Sequence, residues 1–317
     1  MSGIPAFGDV YEKDIGPAMQ ELEKIRLPLK RLGLMPYLFG FSGVGFFIWL
    51  SAHKDHPLVL FLLTLICIGI AGWQYKVYLD RKKKYVSAFK IKVIQTIVSA
   101  INPELYYLPE SKIPESDYDL SNLYTEGYDI YRGEDFVGGT IGVTRFGFSE
   151  LNALRRMRRT DDSEMAVIFH GLFFVADFNK YFHGRTYVWD ENKPGFTALN
   201  KSIFDFAEDL DKVLLEDPEF MNQFVVFSND QMEARYILSP SLMRRMMKLV
   251  NTFGRDISFS FVGTSIYLAI PFKKDLFEPV IFRKPSVEKI AWYYDLLVAL
   301  TGIVEELNLN QRIWTKR

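Results

Sequence analysis

From Leu32 to His53 there are 22 consecutive residues without a Lys, Arg, Asp or Glu, and a second uncharged run of 19 extends from Pro57 to Tyr75. About 20 helical residues rising 1.5 Å each span the hydrocarbon of a bilayer. Both runs therefore reach membrane-spanning length. The second, LVLFLLTLICIGIAGWQY over 58–75, carries the stronger signal. The first contains Gly33, Pro36, Gly40, Gly43 and Gly45. These would break a helix in water but are tolerated in lipid, where the backbone has no other partner. The connector Lys54-Asp55-His56-Pro57 is so short that the two helices must form an antiparallel hairpin. The alternative, a buried core hairpin of a soluble protein, fits two such runs poorly in a domain of this size.

Charge sets the expected orientation. Lys24, Arg26, Lys30 and Arg31 precede the first run, and Lys76, Arg81, Lys82, Lys83 and Lys84 follow the second, while the connector offers Lys54 alone. Positive residues stay on the cytoplasmic side, so both chain ends are expected there. Trp49, Trp73, Tyr75 and Tyr78 stand near the ends, where aromatic belts form. The expected organisation is a cytoplasmic segment 1–31, a transmembrane hairpin 32–80 (helices at about 32–53 and 57–78) and a cytoplasmic domain 81–317. The basic run Arg81, Lys82, Lys83, Lys84 could bind anionic headgroups at about 1 kcal/mol per residue. The plainer reading is that it fixes topology.

Residues 1–84 hold 11 Lys/Arg and 7 Asp/Glu, a net +4, in a chain of net charge −1, which leaves about −5 for the rest. A mildly acidic domain repels phosphate backbones, which argues against nucleic-acid binding. The single cysteine, Cys67, lies inside the second apolar run, so an internal disulfide and a Cys-based metal site are both excluded.

In the domain, Tyr85, Phe89, Val93 and Ile97, with Ile94, Val98 and Ile101, form one apolar stripe of a helix ending at Asn102-Pro103. Strand patterns follow. Ile130–Phe148 has Gly133-Glu134 as its turn. Ser149 has the look of an N-cap for a short helix over Glu150–Met157. Met165–Phe178, with Gly171 inside it, reads as a bulged strand, and Arg185–Trp189 should pair with it through a turn near His183-Gly184. Phe224–Phe227 is a short strand. Pro240–Thr252 is a helix closed by Gly254. Ile257–Val262 and Ser265–Ile270 form a hairpin across Gly263-Thr264, and Val287–Leu307 is a long amphipathic helix. Without a βαβ rhythm, the class is α+β: mixed, mainly antiparallel strands with flanking helices, preceded by a two-helix transmembrane hairpin.

Several stretches together carry a family resemblance: GTIGVTRFGFSELNA (139–153), IFHGLFFVADFNKYFHGRTYV (168–188), VVFSNDQMEARYILSPSLMRRM (225–246), IYLAIPFKKDLFEP (266–279) and GIVEELNLNQRIWTK (302–316). The sequence resembles the bacterial family known as domain of unknown function 3137, over roughly residues 100 to 317. Trp189 departs from the pattern, which has a less bulky residue there. The resemblance implies a protein of the bacterial inner membrane with no assigned activity and no catalytic residues to carry over. Beside the lipid bilayer itself, it points to another membrane or membrane-associated protein as partner, with LemA-type proteins as candidates.

Candidate chemistry is sparse. His170 and His183 with Asp177 could suggest a metal or acid–base site. However, strand parity puts 170 and 177 on opposite faces, so no metal and no cofactor are expected. His53 and His56 fall in the connector. Gly138–Gly142 superficially resembles a phosphate loop but lacks the Lys-Ser/Thr and the following helix. The segment Ser228–Tyr236 offers Asp230 and Glu233 as paired carboxylates and Arg235 as an anion ligand. The competing reading is a helix cap by Ser228 or Asp230, with Glu233 closing a capping box. Asp177, Asn179, Lys180 and Arg185 could form a second polar patch. The expected function is a membrane-anchored interaction module. The alternative is a membrane-bound enzyme, a hydrolase with its site near Asp177 or Asp230.

Overall fold

A computed structural model of the protein describes residues 4–52, 57–157, 165–178, 180–190, 209–254, 257–307 and 309. The helices are α1 (Gly16–Ala52), α2 (Pro57–Phe89), α3 (Gln95–Ile101), α4 (Glu115–Ser121), α5 (Pro218–Gln223), α6 (Gln231–Ile237), α7 (Pro240–Phe253) and α8 (Val287–Glu306). A short turn of helix, Phe7–Val10, and a π-helical stretch, Tyr11–Ile15, lead into α1, and a second π stretch, Lys90–Ile94, joins α2 to α3. The strands are β1 (Tyr106–Leu108), β2 (Ile130–Ile141), β3 (Thr144–Arg156), β4 (Met165–Asp177), β5 (Thr186–Asp190), β6 (Asp211–Lys212), β7 (Phe224–Ser228), β8 (Ser258–Val262) and β9 (Ser265–Pro271). The chain divides into a helical unit, Pro5–Ile97 with Phe277–Tyr294, and a sheet unit, Met1–Ile4, Val98–Leu276 and Asp295–Arg317.

In the helical unit α1 and α2 run antiparallel. A side chain added at Gly33 would meet Tyr78, and one added at Gly43 would meet the Cβ of Cys67 at 3.8 Å, so positions rise on one helix as they fall on the other. Small residues at these crossings let the two backbones approach. Among the described residues one helix is long and apolar enough to cross a membrane, the stretch Phe61–Ile101. None of its apolar window is buried. The connector residues His53, Lys54, Asp55 and His56 lie outside the described residues. The expected stripe is real: Tyr85, Phe89, Val93, Ile94 and Ile97 are all buried. Phe89 packs edge-on against Tyr293, which in turn meets Phe277. Arg26, counted above as a topology charge, is instead buried. It donates to the Ile281 carbonyl at 2.7 Å and pairs with both oxygens of Glu23 at 2.8 and 2.6 Å.

The sheet unit carries a nine-stranded antiparallel sheet in the order β1-β2-β3-β4-β9-β8-β5-β7-β6. The α+β class holds. One face is rich in tyrosine: Tyr118, Tyr131, Phe169, Phe173, Tyr187, Trp189 and Tyr267 pack there with small aliphatics. Trp189 stacks on Tyr187 at 5.2 Å. The other face bears Phe146, Phe148 and Phe174, stacked across β3 and β4.

Local chemistry explains the elements read correctly. Ser239 caps α7 through Leu242 N–H, Pro240 opens it, and Gly254 closes it at φ 57°. Gly263, at φ 62°, makes the β8–β9 turn. Three expectations fail. Gly133-Glu134 is not a turn but lies within β2. A Cβ at 133 would sit 2.5 Å from the Glu150 carbonyl oxygen, so this glycine permits close strand approach, and the reversal falls at Gly142, φ 62°. Ser149 caps no helix: Glu150–Arg156 continues β3, whose Leu151 and Ala153 face the core, and the Ser149 hydroxyl accepts Ile113 N–H at 2.9 Å. The bulge expected in β4 is there, at Ile168, between the pairs Ala153↔Phe169 and Leu154↔Val167. Finally, β5 does not pair with β4. Phe178 and Phe182 donate to the carbonyls of Thr264 and Gly263, which carries the chain past the β8–β9 turn, and β5 lands between β8 and β7.

Candidate functional site

The segment after β7 is a clasp. The Ser228 hydroxyl, fully buried beside Thr186, accepts Asp230 N–H at 3.1 Å. Asp230 then caps α6 by accepting Glu233 N–H at 2.9 Å. Glu233 does not close a capping box. Its carboxylate reaches across to the segment entering β5 and accepts the backbone N–H of Gly184 at 2.7 Å and of His183 at 3.3 Å. The reason is proximity: Gly184 has no side chain, and a Cβ there would lie 2.9 Å from Asp230 Cβ and 3.3 Å from Glu233 Oε2. Lys180 stands 4.0 Å from Glu233 and over the ring of Tyr236 at 4.3 Å. Burial pulls the Lys180 ammonium below its ordinary pKa, against the opposing pull of Glu233 and Asp230. Asn229 accepts Arg185 N–H at 2.7 Å, and Arg185 pairs with Asp209 at 2.7 Å.

The structure thus brings Asp230, Glu233 and Lys180 together. Arg235 folds back on its own helix, donating to the carbonyl and side chain of Gln231. Asp177 ends β4, opposite Ser265 in the ladder. Asn179 lies outside the described residues. In the helical unit, Arg81, Lys83 and Lys84 are exposed and Lys82 is half-buried, just beyond the apolar length of α2.

A second cluster was missed. Glu150 on β3 and His170 on β4 lie on the sheet face of Phe148 and Phe174, and Asp275 follows β9. His170 Nε2 is 3.4 Å from Glu150 Oε1 and 3.4 Å from Asp275 Oδ1. Glu150 is almost fully buried, and its other oxygen accepts Leu276 N–H at 3.0 Å. Directly across the ladder stands Glu134, and the next residue, Asp135, takes φ 60° at the β2 bulge while accepting the Tyr107 hydroxyl. Burial above all, then the charges of Asp275, Asp135 and Glu134, push the Glu150 carboxyl up to about 8. Parity correctly separated His170 from Asp177. Its real neighbours are hidden in the sequence, where Ser149-Glu150 carries a helix-start signature and Asp275 is distant.

No curated protein matches the chain. Among solved structures, the crystal structure of the mycobacterial trehalose monomycolate transport factor A, TtfA, is similar at 10% identity, covering 70% of this chain and 97% of that one, with a TM-score of 0.38. So slight a likeness carries no argument. Residues 167–309 match the family described as "Protein of unknown function (DUF3137)". Over that region the chain is similar to the DUF3137 family.

Proposed function

We propose that the protein is a membrane-anchored interaction module of the bacterial inner membrane, in which α1 and α2 cross the bilayer as a hairpin and both ends of the chain are cytoplasmic. The observation that carries this reading is the apolar surface of α2. Phe61, Ile68 and Trp73 are 60%, 63% and 67% exposed, and Leu62, Leu65, Ile66 and Ile70 are exposed beside them. An apolar surface this continuous needs a cover, and its length suits a bilayer. The basic run Arg81–Lys84 at its end favours the cytoplasmic side. On α1, Tyr37, Phe41, Val44 and Ile48 extend the same exposed character.

Binding is favoured over hydrolysis at Asp230 because Asp230 and Glu233 are both engaged by backbone N–H groups, as capping and clasping residues are. The partner we expect is another membrane protein, of LemA type, and crosslinking in native membranes tests that point. Topology is tested with reporters fused after Arg317. A cytoplasmic reporter should be active and a periplasmic one silent, with the protein resisting alkaline extraction from membranes. Periplasmic activity, or release by alkali, would overturn the anchoring scheme.

A further inference from the structure

We propose that Glu150, His170 and Asp275 form a binding site for a divalent first-row transition-metal ion of the Zn²⁺ type. This goes beyond the anchoring scheme and does not depend on it.

Ligands at about 2.0–2.1 Å from a tetrahedral ion lie about 3.3–3.4 Å from one another. His170 Nε2 stands 3.4 Å from Glu150 Oε1 and 3.4 Å from Asp275 Oδ1, and all three ligand atoms lie within 4.8 Å of one another. Two edges of the triangle thus already have the spacing a single ion imposes.

His170 Nε2 is buried and, among the described residues, makes no hydrogen bond. Asn152, directly opposite His170 in the β3–β4 ladder and hence on the same face, also leaves its buried Oδ1 without a hydrogen bond. Buried polar atoms are rarely left so. An ion on the imidazole, with a water bound to it, would give the nitrogen a ligand and the amide oxygen a donor.

The donors are also held as ligands are. Glu150 and His170 are fixed by paired strands, and the Leu276 N–H occupies Glu150 Oε2, leaving Oε1 toward the imidazole. Hydrogen-bonding of a ligating carboxylate by an outer group is a regular feature of metal sites. The Glu150 side chain is 6% exposed and that of Asp275 60%, so the site is closed on the sheet side and open to water on the other. That leaves an entry path and a position for water. The mixed nitrogen–oxygen set without thiolate suits Zn²⁺, Mn²⁺ or Fe²⁺ better than Mg²⁺ or Ca²⁺, which favour oxygen alone.

The test uses the full chain in detergent, stripped of metal with a chelator. Co²⁺ is titrated in and followed by its visible absorption, Zn²⁺ is added in competition, and thermal melting is recorded beside each. Saturable binding of one equivalent is expected, with a higher melting temperature in Zn²⁺ than in chelator. His170→Ala should abolish the cobalt spectrum. Asp275→Asn, at a side chain 60% exposed, should keep the chelator melting temperature of the parent and weaken Zn²⁺ binding by more than about tenfold. His183→Ala should bind as the parent does. If the cluster is only a histidine between two carboxylates, Zn²⁺ will leave the melting temperature unchanged and no cobalt spectrum will appear. That result, or full binding by Asp275→Asn, overturns the proposal.

Discussion

The carboxylate of Glu233, on the first turn of α6, accepts the backbone N–H of Gly184 at 2.7 Å, and so ties that helix to the segment entering β5. Removing it as Glu233→Ala leaves that N–H without its charged acceptor and should cost about 1.5–3 kcal/mol. Asp230→Ala, which removes the cap, should cost roughly 0.5–2 kcal/mol. Gly184→Ala should disturb the same contact from the other side and be less than additive with Glu233→Ala. Urea melts of the four variants, the double included, check this. A rise in stability for Asp230→Ala or Glu233→Ala would show carboxylates held together against their own repulsion, as a binding site holds them.

Gly171 supports a different contact. A Cβ there would lie 2.2 Å from the Ile270 carbonyl oxygen and 2.8 Å from Pro271 Cα, both backbone atoms of the neighbouring strand. Neither can move without opening the β4–β9 ladder. Gly171→Ala should therefore destabilise by about 3 kcal/mol or more, read as a lower denaturant midpoint. A midpoint within error of the parent would mean the ladder is looser than described.

A chain truncated to begin at Tyr85 should aggregate rather than melt cooperatively. Within the helical unit, Arg26 donates to the Ile281 carbonyl, Phe7 packs on Tyr294, and the Tyr294 hydroxyl donates to the Pro5 carbonyl. Truncation strips all three partners from residues 277–294. Size-exclusion chromatography decides, and a monomeric, cooperatively melting product would contradict the expectation.

Stability should fall steeply above pH 10. Burial raises the hydroxyls of Tyr107, Tyr118 and Tyr131 well above the ordinary value, and pushes those of Tyr85 and Tyr128 up to about 12. The unfolded chain ionises its tyrosines near 10. Between that value and 12 it therefore binds fewer protons than the folded state, so stability is complete below 10 and is lost as pH rises. Denaturant midpoints against pH, with tyrosinate absorbance alongside, test this. Tyrosinate appearing near pH 10 with the fold intact would contradict it.

What the sequence revealed was what short-range chemistry dictates. Ser239, Pro240 and Gly254 bracket α7 within one stretch of chain, and Gly263-Thr264 announces its own hairpin. The same logic misled at Ser149-Glu150. A capping signature is only a local preference, and cross-strand pairing with Leu172 and Phe173 overrides it. Glu233 was read as a box partner because its three-residue spacing from Asp230 fits that motif. Nothing local reveals that Gly184 lies closer. The cluster at His170 needed the same long-range knowledge, since its members come from β3, β4 and the turn after β9.

The pairing of β4 with β9 has a temporal consequence. Gly171 lies opposite Pro271, a hundred residues further along, and β5 to β8 are spelled out between them. Closing so large a loop has a length-dependent entropic cost of about 4 kcal/mol, met before the contacts it enables. As the chain leaves the ribosome, the β2–β3–β4 meander can form while β9 is still unmade. In that interval one edge of β4, lined by Leu172, Phe173 and Phe174, has no neighbour to pair with. An unpaired apolar edge is a template for other chains. For this protein, the time needed to finish the next hundred residues sets how long nascent copies can seize one another.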